Sequence, residues 1–142
     1  MSARFVYRPI SAEQMAVIGN LVVADVASRI RKARNVEDAP AKPLKPGRNG
    51  KRGYPDWKAA HGLQPVRDLF WRGLTLRSIR VVSAKPNEVR IGFDNPQAAG
   101  IAYINQSREP MFWFSPTNLT HIRDLVKQAV LTTELVRSRR VA

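Results

Sequence analysis

Between Arg29 and Arg52 the chain carries nine basic residues (Arg29, Arg31, Lys32, Arg34, Lys42, Lys45, Arg48, Lys51, Arg52) against two acids, Glu37 and Asp38. The same window holds Pro40, Pro43, Pro46, Gly47 and Gly50, and Gly53 and Pro55 follow at once. No other feature restricts the fold so strongly. Proline has no amide hydrogen to give a helix or sheet, and glycine is costly to order. Residues 35–65 are therefore expected to form a long, irregular, basic arm. Long loops in compact domains are usually either disordered or functional. The window supplies about half of the net charge of +13, which comes from 24 Lys and Arg against 11 Asp and Glu in 142 residues. A field of that sign favours a polyanion or an acidic protein surface as partner.

Regular elements flank the arm. Ser11-Ala-Glu-Gln14 has the form of a capping box, in which the two side chains serve each other's otherwise unpaired amides. Met15, Ile18, Val22, Val26, Ile30 and Ala33 then recur at three- and four-residue spacing, which predicts a helix over about 12–34. Downstream, Val66–Trp71 has the composition of a short strand and Leu74–Ser78 of a helical turn. Ile79–Ser83 and Glu88–Phe93 flank a Lys85-Pro-Asn87 turn, and Val89, Ile91 and Phe93 alternate with polar residues. A short helix is expected over about 96–106. Ser115-Pro116 forms a helix start, and Leu119, Ile122, Val126, Ala129, Thr133 and Val136 make the apolar stripe of a helix over about 116–137. The fold class is α+β: amphipathic N- and C-terminal helices packed on a small antiparallel sheet (about 66–94) with a long basic loop, in one domain spanning 1–142.

Several chemistries lack their residues. Zero cysteines remove disulfides, thiol catalysis and Cys-ligated zinc. His61 and His121 are the only histidines, and the acids are scattered, so no metal or catalytic constellation is expected. Ser115 reads as a cap rather than a nucleophile. His121 lies three residues before Asp124, a spacing that suits a surface pair on the helix. Pro43–Lys51 lacks the GxxxxGK[ST] spacing of a phosphate loop. No apolar run approaches 18 residues and no leader is recognisable, so a protein without a membrane partner is expected, made in the cytoplasm.

Two segments remain as candidate contact sites. Lys42, Lys45, Arg48, Lys51 and Arg52 can neutralise phosphates, and Tyr54 and Trp57 beside them are placed to stack on bases. Met111, Phe112, Trp113 and Phe114 form an unbroken run that cannot all face inward on a regular element, so part of it is expected to touch another subunit.

The order of Pro43-Leu-Lys-Pro46, Arg67-Asp-Leu69, Gly73, Arg77-Ser-Ile-Arg-Val81, Val89-Arg-Ile-Gly-Phe93, Ile101-Ala-Tyr-Ile-Asn-Gln106, Arg108-Glu-Pro-Met-Phe112 and Ser115-Pro116 resembles a family of phage proteins. It is the tail-completion or virion-morphogenesis family of tailed bacteriophages, the neck and minor tail group related to the lambda Z and Mu G proteins. The resemblance covers about residues 40–125. It implies a non-enzymatic virion protein without cofactor, which forms a homo-oligomeric ring at the head–tail junction. Its neighbours would be the portal or adaptor above and the tail terminator or tube below, with packaged DNA close to some of its cations. From the residues alone, a small basic nucleic-acid-binding module is the alternative.

Overall fold

The computed structural model describes residues 9–67 and 74–141, with side chains as far as residue 131. Among them are five helices and one two-stranded antiparallel sheet, a mixed α+β arrangement. Their order is α1 (Ala12–Arg31), α2 (Tyr54–Ala60), α3 (Leu74–Arg77), β1 (Ile79–Lys85), β2 (Glu88–Phe93), α4 (Pro96–Arg108) and α5 (Pro116–Val141).

Helix α1 begins at its capping box: the Gln14 amide donates to Ser11 Oγ at 3.2 Å and the Ser11 amide to Gln14 Oε1 at 3.0 Å. Met15, Ile18, Val22, Val26 and Ile30 are buried as one stripe. The helix stops at Arg31 rather than near 34, and the reason is local. Ala33 takes a left-handed φ of +51°, its amide donates to Ile30 O and the Arg34 amide to Arg29 O. That is a Schellman closure, which satisfies carbonyls the helix end would leave open.

The sheet lies across α1. Pro86-Asn87 joins its strands, and the φ of +61° at Asn87 after a proline is the pattern of a type II turn. The turn is also pinned: the Ile10 amide donates to Asn87 Oδ1 at 2.8 Å and the Asn87 amide to Ile10 O at 3.0 Å. A bulge between Val81 and Ser83 shifts the register of β1. Gly19 is the contact point of α1 with both strands. A Cβ there would lie 2.6 Å from a methyl of Val81 and from one of Val89. A mid-helix glycine costs ~1 kcal/mol in helix propensity, and here it lets helix and sheet approach.

The C-terminal helix was expected on the sheet. Instead α5 lies antiparallel along α1, with Asn118 beside Arg29 and His121 beside Asp25. Strands ~4.8 Å apart make a two-stranded sheet about one helix wide, so it covers α1 and leaves α5 to pack on α1 itself. Ile122, Leu125, Val126 and Ala129 pack against the core, Leu119 is exposed, and the Thr133 and Val136 side chains lie outside the described residues. Helix α5 runs four residues past the expected end. Helix α4 extends to Arg108 and starts on Asn95, whose side chain accepts from the Ala98 amide at 3.0 Å. Helix α3 is the expected turn at Leu74. Of the strand expected over 66–71, Val66 and Arg67 are not in a strand, and the rest falls outside the described residues.

The arm expected over 35–65 is more structured than its proline and glycine content predicts. Helix α2 forms inside it, because Pro55 sits in the first turn, where no amide is needed, and the Gly53 amide donates to Asp56 Oδ2 at 2.7 Å. Gly62, at φ +68°, closes the other end, with the Leu63 amide donating to Lys58 O.

Candidate basic finger and the Arg29 junction

The irregular part of the window, 32–53, divides in two. The first half is a strap tied to the body. Arg34 and Pro40 form a β-bridge, the Ala41 amide donates to Ala33 O at 2.7 Å, and the Val36 amide donates to Pro110 O at 2.9 Å. Asn35 Oδ1 accepts from the Glu37 and Ala39 amides, while Asn35 Nδ2 donates to Glu109 Oε1 at 3.1 Å.

The second half is a finger. The Lys51 amide donates to Arg48 O at 3.1 Å, and Asn49 and Gly50 between them have φ of +55° and +72°. Two positive φ values in an Asn-Gly pair are the signature of a type I′ turn, the tight turn of hairpins. Its neck is a backbone-on-backbone contact. A Cβ on Gly47 would lie 1.7 Å from Lys51 O, and one on Gly53 would lie 2.2 Å from Gly47 N. Lys45, Arg48, Lys51 and Arg52 are all exposed, and none of the four forms an ion pair among the described residues.

Lys42 is different from these four. Its ammonium lies 3.7 Å from Glu109 Oε2, and the Glu109 side chain is 3% exposed. Lys42 is thus the nearest counter-charge of a buried carboxylate, and Arg67 Nε donates to its carbonyl at 3.1 Å. Tyr54 and Trp57 are brought together, but with each other: their rings stack at 6.0 Å and 13°, and His61 covers Trp57 at 3.9 Å and 25°. The two rings expected to stack on bases are stacked with each other and with His61 along α2, and Tyr54 and His61 remain exposed. Lys58, on the same helix, is almost fully buried, with its Nζ donating to Val66 O at 2.7 Å.

Arg29 was counted in the basic window and belongs to the interior. It is 6% exposed. Its Nε donates to Asn118 Oδ1 at 3.1 Å, one terminal nitrogen to Arg34 O at 3.0 Å, and the other to Met111 O and Trp113 O, both at 2.7 Å. Burial pushes its pKa below the ordinary arginine value, and the charge of Asp38 opposes that shift. One guanidinium thus joins the end of α1, the strap, the 111–114 run and the start of α5. The only sequence signal for it was position: Arg29 falls beside Val26 and Ile30 on the buried face of α1.

At the start of α5, Ser115 is the cap its sequence predicts. The Asn118 amide donates to Ser115 Oγ at 3.2 Å and the Ser115 amide to Asn118 Oδ1 at 3.1 Å. Asp38 adds its carboxylate, accepting from the Thr117 amide at 3.1 Å. Desolvation alone would raise the Asp38 pKa. Hydrogen bonds from Thr117 and Ser115, with the nearby Arg29 cation, outweigh it and hold the carboxyl below its usual range.

The apolar run resolves three to one. Met111 is fully buried, Phe112 and Phe114 pack on the core, and Trp113 is 69% exposed. Gln106, from the Asn-Gln pair of the resemblance, shapes this segment: its Oε1 accepts from the Met111 and Phe112 amides at 3.0 and 2.9 Å. Trp113 stands at the rim of an apolar groove of 370 Å³ between β2 and α5, floored by Met15, Ile18 and Val22 of α1.

His121 pairs across helices rather than along its own. Its Nδ1 meets Asp25 Oδ2 of α1, not Asp124, because the antiparallel packing brings Asp25 to its level. Among the described residues no three His, Asp or Glu converge as a metal site, and no helix is long and apolar enough to cross a membrane. No family model, no curated protein and no solved structure matches this chain.

Proposed function

We propose that this chain is a structural, non-enzymatic subunit of a phage head–tail junction, a neck or tail-completion protein that assembles into a ring between the head connector and the tail. The resemblance of its motifs to that family is the starting point. The observation that carries the proposal is the exposure of Trp113 beside an apolar groove, while the other three residues of its run are held inside by the core and by Gln106. A large aromatic at 69% exposure, on a segment fastened by the Arg29 junction, is a rigid anchor of the kind that subunit contacts use. Leu119 on α5 is exposed as well.

Purified particles test the proposal. The chain is expected in them by mass spectrometry, in more than one copy. Particles assembled without it are expected as full heads and unjoined tails. Trp113→Ser should weaken assembly without unfolding the chain, because that side chain is already in water. A chain missing from particles, or present there as a monomer, would end the proposal.

A further inference from the structure

We propose that residues 45–53 are a preformed clamp for the phosphate backbone of duplex DNA, acting through Lys45, Arg48, Lys51 and Arg52. The inference goes beyond the neck reading, since it concerns what the isolated chain binds. Three features of the finger carry it. Four exposed cations lie within eight residues, and no acid occurs from Ala39 to Pro55. The loop is closed before any partner arrives, by the Asn49-Gly50 turn and by the backbone contact at Gly47 and Gly53. Ordering entropy, which a disordered arm would lose on binding, is already spent in folding.

The rings beside the finger select between nucleic acids. A single-strand binder offers aromatic faces to bases. Here the Trp57 ring is already stacked with Tyr54 and His61 on its own helix, so a base would have to compete with contacts made in folding. What remains is charge on a fixed frame. Such a frame gains most from the densest fixed anion, and duplex DNA carries about one charge per ~1.7 Å of axis, against about one per ~3.4 Å for each strand. Arg48 and Lys51 occupy the first and fourth positions of the turn, opposite each other on the hairpin. Lys42 is not part of the clamp, because it faces Glu109.

The test is binding of the full chain to a 20-base-pair duplex of mixed sequence across a salt series, followed by fluorescence anisotropy. Replacing the four cations together (Lys45→Gln, Arg48→Gln, Lys51→Gln, Arg52→Gln) should flatten the slope of log K against log salt by about 3.6, at ~0.9 per phosphate. Any single replacement should flatten it by ~0.9. Gly47→Ala keeps every charge but cannot keep the neck, and should weaken binding about tenfold at 100 mM salt, an effect of ~1.4 kcal/mol. An unchanged slope in the fourfold variant overturns the proposal, and so does a Gly47→Ala protein, folded by circular dichroism, that binds as the parent does. Tighter binding to a single strand of the same sequence, or equal displacement by polyglutamate at matched charge, also overturns it in favour of bases or an acidic protein surface. Incorporation of the fourfold variant into particles reports on the neck reading separately: normal incorporation with lost DNA binding leaves both proposals standing.

Discussion

Arg29 and Arg48 belong to the same basic window, yet the fold gives them opposite roles. Arg29 is buried and donates to four acceptors from three separate segments. Arg48 is exposed at the tip of a finger and touches nothing charged among the described residues. The Arg29 region is held by long-range contacts between residues 82 to 89 positions apart, the finger by contacts within seven residues. Counting charges along the chain treats the two alike. Burial separates them, because a guanidinium removed from water must find its acceptors in the protein, whereas one in water is free to meet an external anion.

Substitutions can break that contrast, starting with the largest expected effect. Arg29→Met removes the donor and leaves buried carbonyls of Met111 and Trp113 without it. Destabilisation of about 3–5 kcal/mol is expected in urea unfolding. A loss under ~1 kcal/mol would mean that the junction is not what holds the strap and α5 together.

Gly19→Ala comes next. Alanine is the better helix former by ~1 kcal/mol, yet its methyl would meet the stiff side chains of Val81 and Val89, so a net loss of about 1–3 kcal/mol is expected. A stabilised Gly19→Ala protein would show that the sheet is free to shift away from α1.

Acid titration isolates Asp38. Its carboxyl pKa is lowered on folding, so its contribution is fully present above the ordinary carboxylate range and is lost as pH falls through the folded value. The stability difference between the parent and Asp38→Asn should be constant near neutrality and shrink below about pH 4. A difference that persists unchanged in acid would remove Asp38 from the cap of α5.

The smallest effect belongs to the finger. The fourfold Lys45, Arg48, Lys51 and Arg52 replacement should leave unfolding within about 0.5 kcal/mol of the parent, because these side chains are exposed and form no ion pairs among the described residues. A large loss would make the finger structural, and the contrast with Arg29 would vanish.

Local chemistry was legible where it closes on itself. Ser11 with Gln14 and Ser115 with Asn118 complete their hydrogen bonds within four residues, and Pro86-Asn87 reverses the chain between the paired Lys85 and Glu88, so spacing alone placed both long helices and the hairpin. Asn49-Gly50 and the Gly53-Tyr-Pro-Asp56 start of α2 were equally local. The density of proline and glycine across 35–65 masks them, because the same residues that break regular structure on average also start a helix or close a turn at particular positions. Nothing local distinguished His121 as the partner of Asp25 rather than Asp124, since both lie within reach of some helix face. The fate of the Met111–Phe114 run was half legible: an unbroken apolar run must split, but which residue stays in water depends on what Gln106 and Arg29 hold.

The sequence by itself determined where α1, α4, α5 and the hairpin begin, the lack of cysteine chemistry, and the excess of positive charge, because caps, turns and composition involve only neighbours or sums. Tertiary structure alone decided which charges are available. Packing α5 along α1 draws Arg29 inside, docking the strap turns Lys42 toward Glu109, and α2 stacks Trp57 with Tyr54 and His61, while the finger keeps its four cations in water. The physical reason is that a charge takes its role from its surroundings, and those surroundings are assembled from residues far apart in the chain.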